Sequence, residues 1–139
     1  MFAVYTYSIA GLLLIIFTVF VQNIVAAIAH RRQSQYIPGK VSDELSHDSF
    51  VFRSHRTFHN SLENVPQFTL PAILCMFLGA PTTLLALLIW IYALCRIMHM
   101  GLYYAIATEK NPSPRSYFYM IGVLCTVGVF GLAIFQLFM

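Results

Sequence analysis

The sequence predicts an all-α integral membrane protein, built as an antiparallel, up-down bundle of four transmembrane helices. The chain of 139 residues is 59% hydrophobic and only 9% charged, whereas a soluble domain carries about 25% charged residues. Residues 4–29 contain no charged side chain, and a helix of that length spans roughly 39 Å, which is enough to cross a bilayer. Long uncharged runs recur along the chain, so residues 1–139 are expected to form a single transmembrane domain.

Charged residues and turn-forming residues mark the ends of the helices. The basic stretch 30–32 stops the first helix at the membrane surface, and a polar loop with a Pro-Gly pair follows it. The sequence Gly-Ala-Pro at 79–81 predicts a tight turn, and the second loop, 108–114, contains two prolines. Four helices are therefore expected, over about residues 4–29, 55–78, 82–107 and 115–138.

The distribution of Lys and Arg predicts the orientation. Apart from Arg96, every Lys and Arg lies in residues 30–56 or 108–115. The positive-inside rule therefore places both long loops in the cytoplasm and both termini outside. The membrane would be the plasma membrane of a bacterium or the endoplasmic reticulum of a eukaryote. The net charge of +3 comes without a basic face interleaved with stacking aromatics, so no nucleic-acid partner is expected.

Polar side chains cluster at the head of the second helix. Arg56, Asn60 and Glu63 are spaced i, i+4, i+7 and share one helical face. Only 32 uncharged residues separate Glu63 from Arg96, whereas two membrane spans need about 40 residues. Both charges must therefore lie within the hydrocarbon zone or at its edge, where charged residues are costly and commonly functional.

Distances from the turn at 79–81 predict which polar residues of the second and third helices lie at the same depth. At about 1.5 Å per residue, the three predicted pairs are Glu63/Arg96, Asn60/His99 and Arg56/Tyr103. Arg96, His99 and Tyr103 also share one face, because they are spaced i, i+3, i+7. The fourth helix begins at the same end, with Arg115, Ser116 and Tyr119. This convergence predicts a functional site.

Two structural alternatives exist for this cluster. Glu63 and Arg96 could form a buried ion pair that only fixes the register of the two helices. That pair would leave Arg53, Arg56 and Arg115 without carboxylate partners, and an excess of guanidinium groups suits an anionic ligand. His55, His59 and Glu63 recur every four residues, but no further carboxylate or Cys completes a ligand set at that depth, so no metal centre is expected.

The three cysteines have a simpler interpretation. Each lies inside an apolar run without metal-ligand spacing, and an odd number cannot all pair. They are interpreted as small apolar packing residues; they are Cys75, Cys95 and Cys125.

The polar motifs together resemble the family of membrane-associated proteins in eicosanoid and glutathione metabolism (MAPEG), which includes the microsomal glutathione transferases. The second helix matches an R-x-x-R-x-x-x-N-x-x-E pattern with Arg53, Arg56, Asn60 and Glu63. The third and fourth helices match with Arg96, His99, Tyr103, Arg115, Ser116 and Tyr119. The chain departs from the family pattern at Phe52 and Ser61, where acidic residues are common, and in its longer loop before Arg115.

The resemblance implies a homotrimer of four-helix protomers, with glutathione as co-substrate at each subunit interface near the cytoplasmic face. Six residues of one protomer would hold the tripeptide: Arg56, Asn60, Glu63, Arg96, His99 and Tyr103. Further contacts would come from Arg53 and, on helix one of the neighbour, from Gln22, Asn23 and Arg31 or Arg32. Arg115 would stabilise the thiolate, with Ser116 or Tyr119 as hydrogen-bond donor to sulfur.

The implied activity is that of a glutathione transferase or peroxidase. The second substrate would be an apolar electrophile or a lipid hydroperoxide that arrives from the bilayer. Two alternatives use the same fold without this chemistry. One is a non-catalytic, lipid-binding membrane scaffold, and the other is an accessory subunit that binds a small anion.

Overall fold

The computed structural model describes residues 2–139 and consists of four long α-helices that follow a short 3-10 turn. The helices are α1 (Thr6–Arg31), α2 (Phe50–Phe77), α3 (Thr82–Ala105) and α4 (Pro114–Leu137). Within the described residues, β-structure is limited to one isolated bridge between Ile37 and Lys40 in the first loop. The prediction of an all-α protein with four helices is confirmed.

Three of the helices are long and apolar enough to cross a membrane, as judged by length and composition. They are Ala3–Arg31, which includes the 3-10 turn, Thr82–Ala105 and Pro114–Leu137. Helix α2 has sufficient length, but it does not belong to this group because charged and amide side chains occupy its first half. Of the four transmembrane helices that the sequence predicts, three therefore meet this criterion of length and composition. Large apolar side chains cover the outer surface of the bundle, as a lipid-facing surface requires.

Helix α2 begins earlier than the sequence predicts. It starts at Phe50, five residues before the expected position, and Ser49 before it is extended. One Arg53 guanidinium nitrogen, Nη1, donates to the backbone carbonyls of His47 and Asp48, at 2.6 and 2.9 Å. The arginine thus joins the end of the preceding loop to the first turn of α2. This contact accounts for the earlier start of the helix. Every other helix end lies within two residues of its expected position.

The turn between α2 and α3 closes in a Schellman arrangement. The Ala80 N–H donates to the Cys75 carbonyl at 2.9 Å, and the Gly79 N–H donates to the Met76 carbonyl at 3.3 Å. Gly79 has a φ of 75°, a conformation that glycine adopts without steric cost. The predicted tight turn at 79–81 is confirmed.

The end of the bundle that contains this turn is tied by two hydrogen bonds. The Tyr5 hydroxyl donates to the Ala80 carbonyl at 2.7 Å, and the Trp90 indole N–H donates to the Tyr7 carbonyl at 3.0 Å. Because both bonds join the beginning of the chain to the α2–α3 hairpin, this end of the bundle is fixed. It is called the closed end below.

The core lies between α2 and α3, which pack against each other and against both α1 and α4. The rings of Phe68 and Tyr92 stack at its centre, with centroids 3.8 Å apart. Helix α1 comes close to α3 at Gly11, where a Cβ atom would lie 2.6 Å from the Ile89 side chain. All three cysteines are buried and unpaired, so their interpretation as packing residues is confirmed.

The long loops, residues 32–49 and 106–113, lie together at the opposite end of the bundle. The His47 ring of the first loop contacts Glu109 of the second, with 2.7 Å between Nδ1 and the carboxylate. The start of α4 is capped at this end by Ser113 and Ser116, and the Ser113 N–H donates to the Ser116 hydroxyl at 3.1 Å. The end of the bundle opposite the closed end is therefore formed by the two loops and the start of α4.

Candidate functional site

Arg96 is the most buried charge in the predicted site, with 3% of its surface exposed. Its two terminal nitrogens donate to α2, one to the Asn60 side-chain oxygen at 2.9 Å and one to the Ser61 hydroxyl at 2.7 Å. Its Nε atom is buried and has no hydrogen-bond partner. The guanidinium therefore lies between α2 and α3 with donor capacity left over.

The structural alternative of a buried ion pair between Glu63 and Arg96 is not what the described residues show. Glu63 pairs instead with Arg56, at 3.5 Å, and these side chains are 55% and 42% exposed on the outer face of α2. Ser61 faces α3, and two further residues turn a helix by about 200°, which carries Glu63 to the opposite side. The shared face of Arg56 and Glu63 is confirmed, but it points away from Arg96.

In the other two depth-matched pairs, the hydrogen bonds of the described residues also go to other partners. Asn60 binds Arg96 rather than His99, and the Tyr103 hydroxyl lies 3.0 Å from the His47 ring rather than against Arg56. Depth along the helix axis locates Cα atoms, whereas a guanidinium reaches several ångströms beyond its Cα. Equal depth along the helix axes therefore does not predict which side chains form hydrogen bonds or ion pairs with each other.

The polar face of α3 is as predicted, because Arg96, His99 and Tyr103 are all buried on one side of the helix. The rings of His99 and Tyr103 lie 5.5 Å apart. The His99 Nδ1 atom is buried without a hydrogen-bond partner. A second unsatisfied polar atom thus accompanies the Arg96 Nε in the same part of the molecule.

Arg115 joins this face from the start of α4. Its guanidinium lies 4.0 Å from the centre of the Tyr103 ring, a cation–π contact. One terminal nitrogen donates to the Thr108 carbonyl at 3.1 Å, whereas Nη1 is buried and has no partner. The groups Asn60, Arg96, His99, Tyr103 and Arg115 are called the inner cluster below. Helices α2, α3 and α4 all contribute to it.

Ser116 and Tyr119, the two candidate hydrogen-bond donors to sulfur, have different surroundings. The Ser116 hydroxyl is engaged with Ser113 in the cap of α4. Tyr119 is partly exposed and lines a groove of about 330 Å³ between α2 and α4. Asn64 and Gln67 supply polar atoms to this groove, and its other walls are mainly apolar.

Arg53 and Arg32 lie away from the inner cluster. One terminal nitrogen of Arg53, Nη1, is engaged with the backbone of residues 47 and 48, as described above. Arg32 is exposed at the end of α1 and lines a shallow groove beside Phe50. Neither side chain contributes to the inner cluster within this protomer.

A separate cavity, of about 470 Å³, lies between α1, α2 and the first loop. Asn23 and Arg31 line it, together with His55 and His59. Gln22, which the resemblance also implies as a contact to a neighbouring subunit, is instead completely buried inside the protomer. The two histidine rings lie 4.1 Å apart, but no group of three or more metal-ligating side chains is assembled within residues 2–139.

His47 is a site residue that the sequence did not indicate. Its ring joins Glu109 at Nδ1, 2.7 Å away, and the Tyr103 hydroxyl at Nε2, 3.0 Å away. Its backbone N–H also donates to the Glu109 carboxylate at 3.1 Å. The hydrogen bonds from the ring and then from the backbone hold the pKa of the Glu109 carboxyl below its ordinary value. No sequence pattern relates these three residues, because two loops and a helix bring them together.

Comparison with known proteins identifies the family of this chain. The MAPEG family model matches residues 7–135, nearly the whole chain. No curated protein and no solved structure gives a significant match. The match spans all four helices and includes every residue of the inner cluster. The chain therefore belongs to the MAPEG family and is an integral membrane protein of that glutathione- and eicosanoid-metabolising group.

Proposed function

We propose that the protein is a membrane-bound glutathione transferase or peroxidase that binds glutathione at the inner cluster and stabilises its thiolate. One observation carries the proposal: the buried guanidinium of Arg96 and the partly buried guanidinium of Arg115 each keep one buried nitrogen without a hydrogen-bond partner. Neither forms an ion pair with a carboxylate of the described chain. A buried cation that lacks a counter-ion costs several kcal/mol, so this cluster favours an anionic ligand.

The carboxylates near the cluster are already engaged. Glu63 pairs with Arg56, and Glu109 pairs with His47. Glutathione offers two carboxylates and one ammonium group at neutral pH. The guanidinium groups of the inner cluster would bind the carboxylates as charge-assisted hydrogen-bond donors. The unpaired Nδ1 of His99 supplies one further polar contact.

The thiol needs a cation because thiolate is the reactive form. With a pKa of about 8.5, a free thiol is only a few per cent ionised at pH 7. Lowering this pKa by about two units requires roughly 2.7 kcal/mol of preferential stabilisation of the anion. Arg115 can supply this, because its guanidinium is oriented by the Tyr103 ring and the Thr108 carbonyl. Of the two candidate donors to sulfur, Tyr119 is favoured, since Ser116 caps α4.

The chemistry that follows has two forms. In a transferase reaction, the thiol loses its proton, sulfur forms a bond to the electrophilic carbon, and the leaving group departs with the bonding electrons. In a peroxidase reaction, two glutathione molecules supply two electrons, and a hydroperoxide becomes an alcohol and water while a disulfide forms. The groove beside Tyr119 has a mainly apolar wall on α4, opposite the amides of Asn64 and Gln67 on α2, and the apolar wall suits a second substrate that arrives from the lipid.

The outer face of α2 supports assembly into the homotrimer that the resemblance implies. Arg56 and Glu63 are about half exposed, and exposed charges at this depth in a bilayer are costly. A neighbouring subunit that covers this face would remove that cost. The cavity lined by Asn23 and Arg31 would then contribute the neighbour's contacts to the ligand. With the orientation that the positive-inside rule predicts, the loops and the site would lie on the cytoplasmic side.

The proposal is tested by measuring the ultraviolet absorbance of the thiolate when glutathione is added to purified protein. We expect a thiolate signal for wild type and a more than roughly tenfold smaller signal for Arg115→Ala at saturating ligand, because the loss of about 2.7 kcal/mol of anion stabilisation returns the thiol to a few per cent ionised at pH 7. Lys110→Ala is the matched control, because Lys110 is an exposed cation in the loop before Arg115. A wild-type protein that neither binds glutathione nor forms the thiolate would refute the mechanism.

Turnover distinguishes the remaining functions. The proposed enzyme converts chlorodinitrobenzene or cumene hydroperoxide in the presence of glutathione, whereas a lipid-binding scaffold co-purifies with lipid and converts neither. An anion-binding accessory subunit would support uptake of a small anion in proteoliposomes. In that case Arg96→Ala would abolish uptake without any effect on thiol chemistry.

A further inference from the structure

The cavity of about 470 Å³ between α1, α2 and the first loop also gathers basic side chains. Its basic lining residues come from two helices, and they are His30 and Arg31 on α1 and His55 and His59 on α2. No carboxylate of the described residues lines this cavity. The proposed glutathione site uses only Asn23 and Arg31 of the lining, so the other polar groups have no role in it.

The loop wall of this cavity is held by local hydrogen bonds. The Pro-Gly turn at 38–39 is closed by the Lys40 N–H, which donates to the Ile37 carbonyl at 3.1 Å. Gly39 has a φ of 77°, the conformation that this turn position requires. The His30 ring joins the turn to the end of α1, with 2.9 Å between Nε2 and the Ile37 carbonyl, and its other nitrogen is also engaged. His30 therefore builds the wall and is not available to a ligand.

The remaining basic groups of the lining have no partner in the protein. Within residues 2–139, the Arg31 guanidinium forms neither an ion pair nor a hydrogen bond. The rings of His55 and His59 contact each other, with centroids 4.1 Å apart, but their nitrogens have no hydrogen-bond partner in the described chain. A neutral imidazole carries one N–H donor. The cavity therefore offers one guanidinium and two imidazole donors that the protein itself does not use.

These donors are distributed along the depth of the cavity. Asn23 lies eight residues before Arg31 on α1, which corresponds to about 12 Å along the helix axis. Because α2 runs antiparallel to α1, His59 lies toward the Asn23 end of the cavity. Apolar residues, among them Ala27 and Phe58, line the space between the polar groups. A matching ligand therefore needs an anionic group at the loop end, hydrogen-bond acceptors deeper down and an apolar continuation.

A phospholipid carries its groups in this order, with a phosphate, then ester carbonyls, then acyl chains. In the orientation that the positive-inside rule predicts, the loop end of the cavity lies at the level of the cytoplasmic headgroups. Basic pockets between transmembrane helices on that side commonly bind acidic headgroups. A zwitterionic headgroup suits the cavity less well, because its ammonium group would find no carboxylate in the lining.

We propose that this cavity is a binding site for a phospholipid with a net negative headgroup. Arg31 binds the phosphate as a charge-assisted hydrogen-bond donor. His55 and His59 donate to the deeper oxygens of the headgroup and the esters, and the acyl chains leave the cavity along its apolar lining. The lipid site is separate from the inner cluster, which α2, α3 and α4 form, and it does not depend on glutathione chemistry.

Native mass spectrometry of the detergent-solubilised protein tests the identity of the ligand. Dioleoylphosphatidylglycerol is the probe, and we expect it to bind about tenfold more tightly than dioleoylphosphatidylcholine, which has the same chains and phosphate but an added ammonium group. Glycerol 3-phosphate supplies the anion without the chains. It should bind at least about a hundredfold more weakly than phosphatidylglycerol, because burial of acyl groups is lost.

Substitution of the basic groups tests the assigned contacts. Arg31→Gln should weaken the affinity for phosphatidylglycerol by about tenfold to a hundredfold, because a charge-assisted hydrogen bond is lost. Arg32→Gln is the matched control, since Arg32 is the next residue of the chain but lines a different groove, beside Phe50. The double variant His55→Leu/His59→Leu should weaken the affinity by about threefold to tenfold or more through the loss of two donors.

A bulky substitution tests the cavity itself, because it fills the space and retains every basic group. Ala27→Trp should weaken the binding of phosphatidylglycerol by at least about tenfold. Ala29→Trp is its control, because Ala29 lines the groove beside Arg32 instead. Thermal unfolding of each variant establishes that it remains folded.

Several results would overturn the lipid site. Equal affinities of Arg31→Gln and Arg32→Gln, or an unchanged affinity of Ala27→Trp, would mean that lipid is attracted by general surface charge. Glycerol 3-phosphate that binds as tightly as phosphatidylglycerol would assign the cavity to a soluble phosphate. Arg115→Ala should keep the wild-type lipid affinity, and a loss as large as that of Arg31→Gln would place the lipid at the inner cluster. None of these results affects the thiolate test, so the two proposals fail independently.

Discussion

Substitution of Arg96 by methionine separates the contribution of this side chain to ligand binding from its contribution to folding. In the ligand-free protein the change removes two charge-assisted hydrogen bonds, to Asn60 and Ser61, each of about 1.5–3 kcal/mol. It also removes a buried charge whose desolvation costs several kcal/mol. These opposing effects nearly cancel, so the free energy of unfolding should change by no more than about 2 kcal/mol.

The effect on glutathione binding should be larger. Removal of one partner from a buried, hydrogen-bonded charge pair costs about 2–5 kcal/mol. The dissociation constant of Arg96→Met should therefore rise by roughly 30-fold to several thousand-fold. The variant thus separates two properties that a purely structural arginine would lose together.

Ligand-induced thermal stabilisation in detergent measures both properties in one experiment. Glutathione at about 100 times the wild-type dissociation constant should stabilise wild type by about 2.7 kcal/mol, and Arg96→Met by less than about 1 kcal/mol. Lys40→Met, which removes an exposed cation of the first loop, should behave as wild type. Equal stabilisation of Arg96→Met and wild type would refute the contact with the ligand. If the melting temperature of ligand-free Arg96→Met is lower than that of wild type by more than about 10 °C, equivalent to well over 2 kcal/mol of unfolding free energy, Arg96 is mainly structural.

Two further predictions concern the packing of α1 and the contact between the loops. Gly11→Ala should lower the free energy of unfolding by about 1–3 kcal/mol, because its Cβ would lie 2.6 Å from the Ile89 side chain. Gly131→Ala is the control, because the space around Gly131 is open. Equal melting temperatures for the two variants would contradict the close approach of α1 and α3. The hydrogen bonds from His47 lower the pKa of Glu109 in the folded protein. The free energy that this contact contributes to holding the two loops together is therefore fully present above the unfolded pKa of about 4.3. It is lost as the pH falls through the lower pKa of the folded protein. Proteolysis of the loops should therefore increase in that acidic range in wild type, whereas a pH-independent rate would contradict this contact.

The elements that follow from local sequence could be predicted. Gly79 permits the left-handed conformation that the hairpin turn requires, and its place between two apolar runs marked the turn. The spacing of Arg96, His99 and Tyr103 placed them on one buried face, because helical periodicity alone decides which side chains share a side. The beginning of α2 was predicted too late, since the interaction of Arg53 with the preceding loop is not a periodic feature.

The contacts of the site could be predicted only in part. The sequence placed Glu63 and Arg96 at similar depth, but a charge pair also requires that both helices turn the right face toward each other. Ser61, which read as a departure from the family pattern, is the residue that accepts the Arg96 hydrogen bond. His47 and Glu109 could not be found at all, because they lie in separate loops and come together only through the tertiary fold.

The closed end has a consequence for how substrates reach the site. Because Tyr5 and Trp90 anchor the start of the chain to the α2–α3 hairpin, the helices have a common pivot far from the inner cluster. A small rotation about such a pivot gives its greatest displacement at the distant tips, where the two long loops join the helices. We expect widening of the bundle to be confined to the tips that surround Arg115 and Tyr119, which would admit a lipid-borne molecule sideways while the remainder of the bundle stays packed.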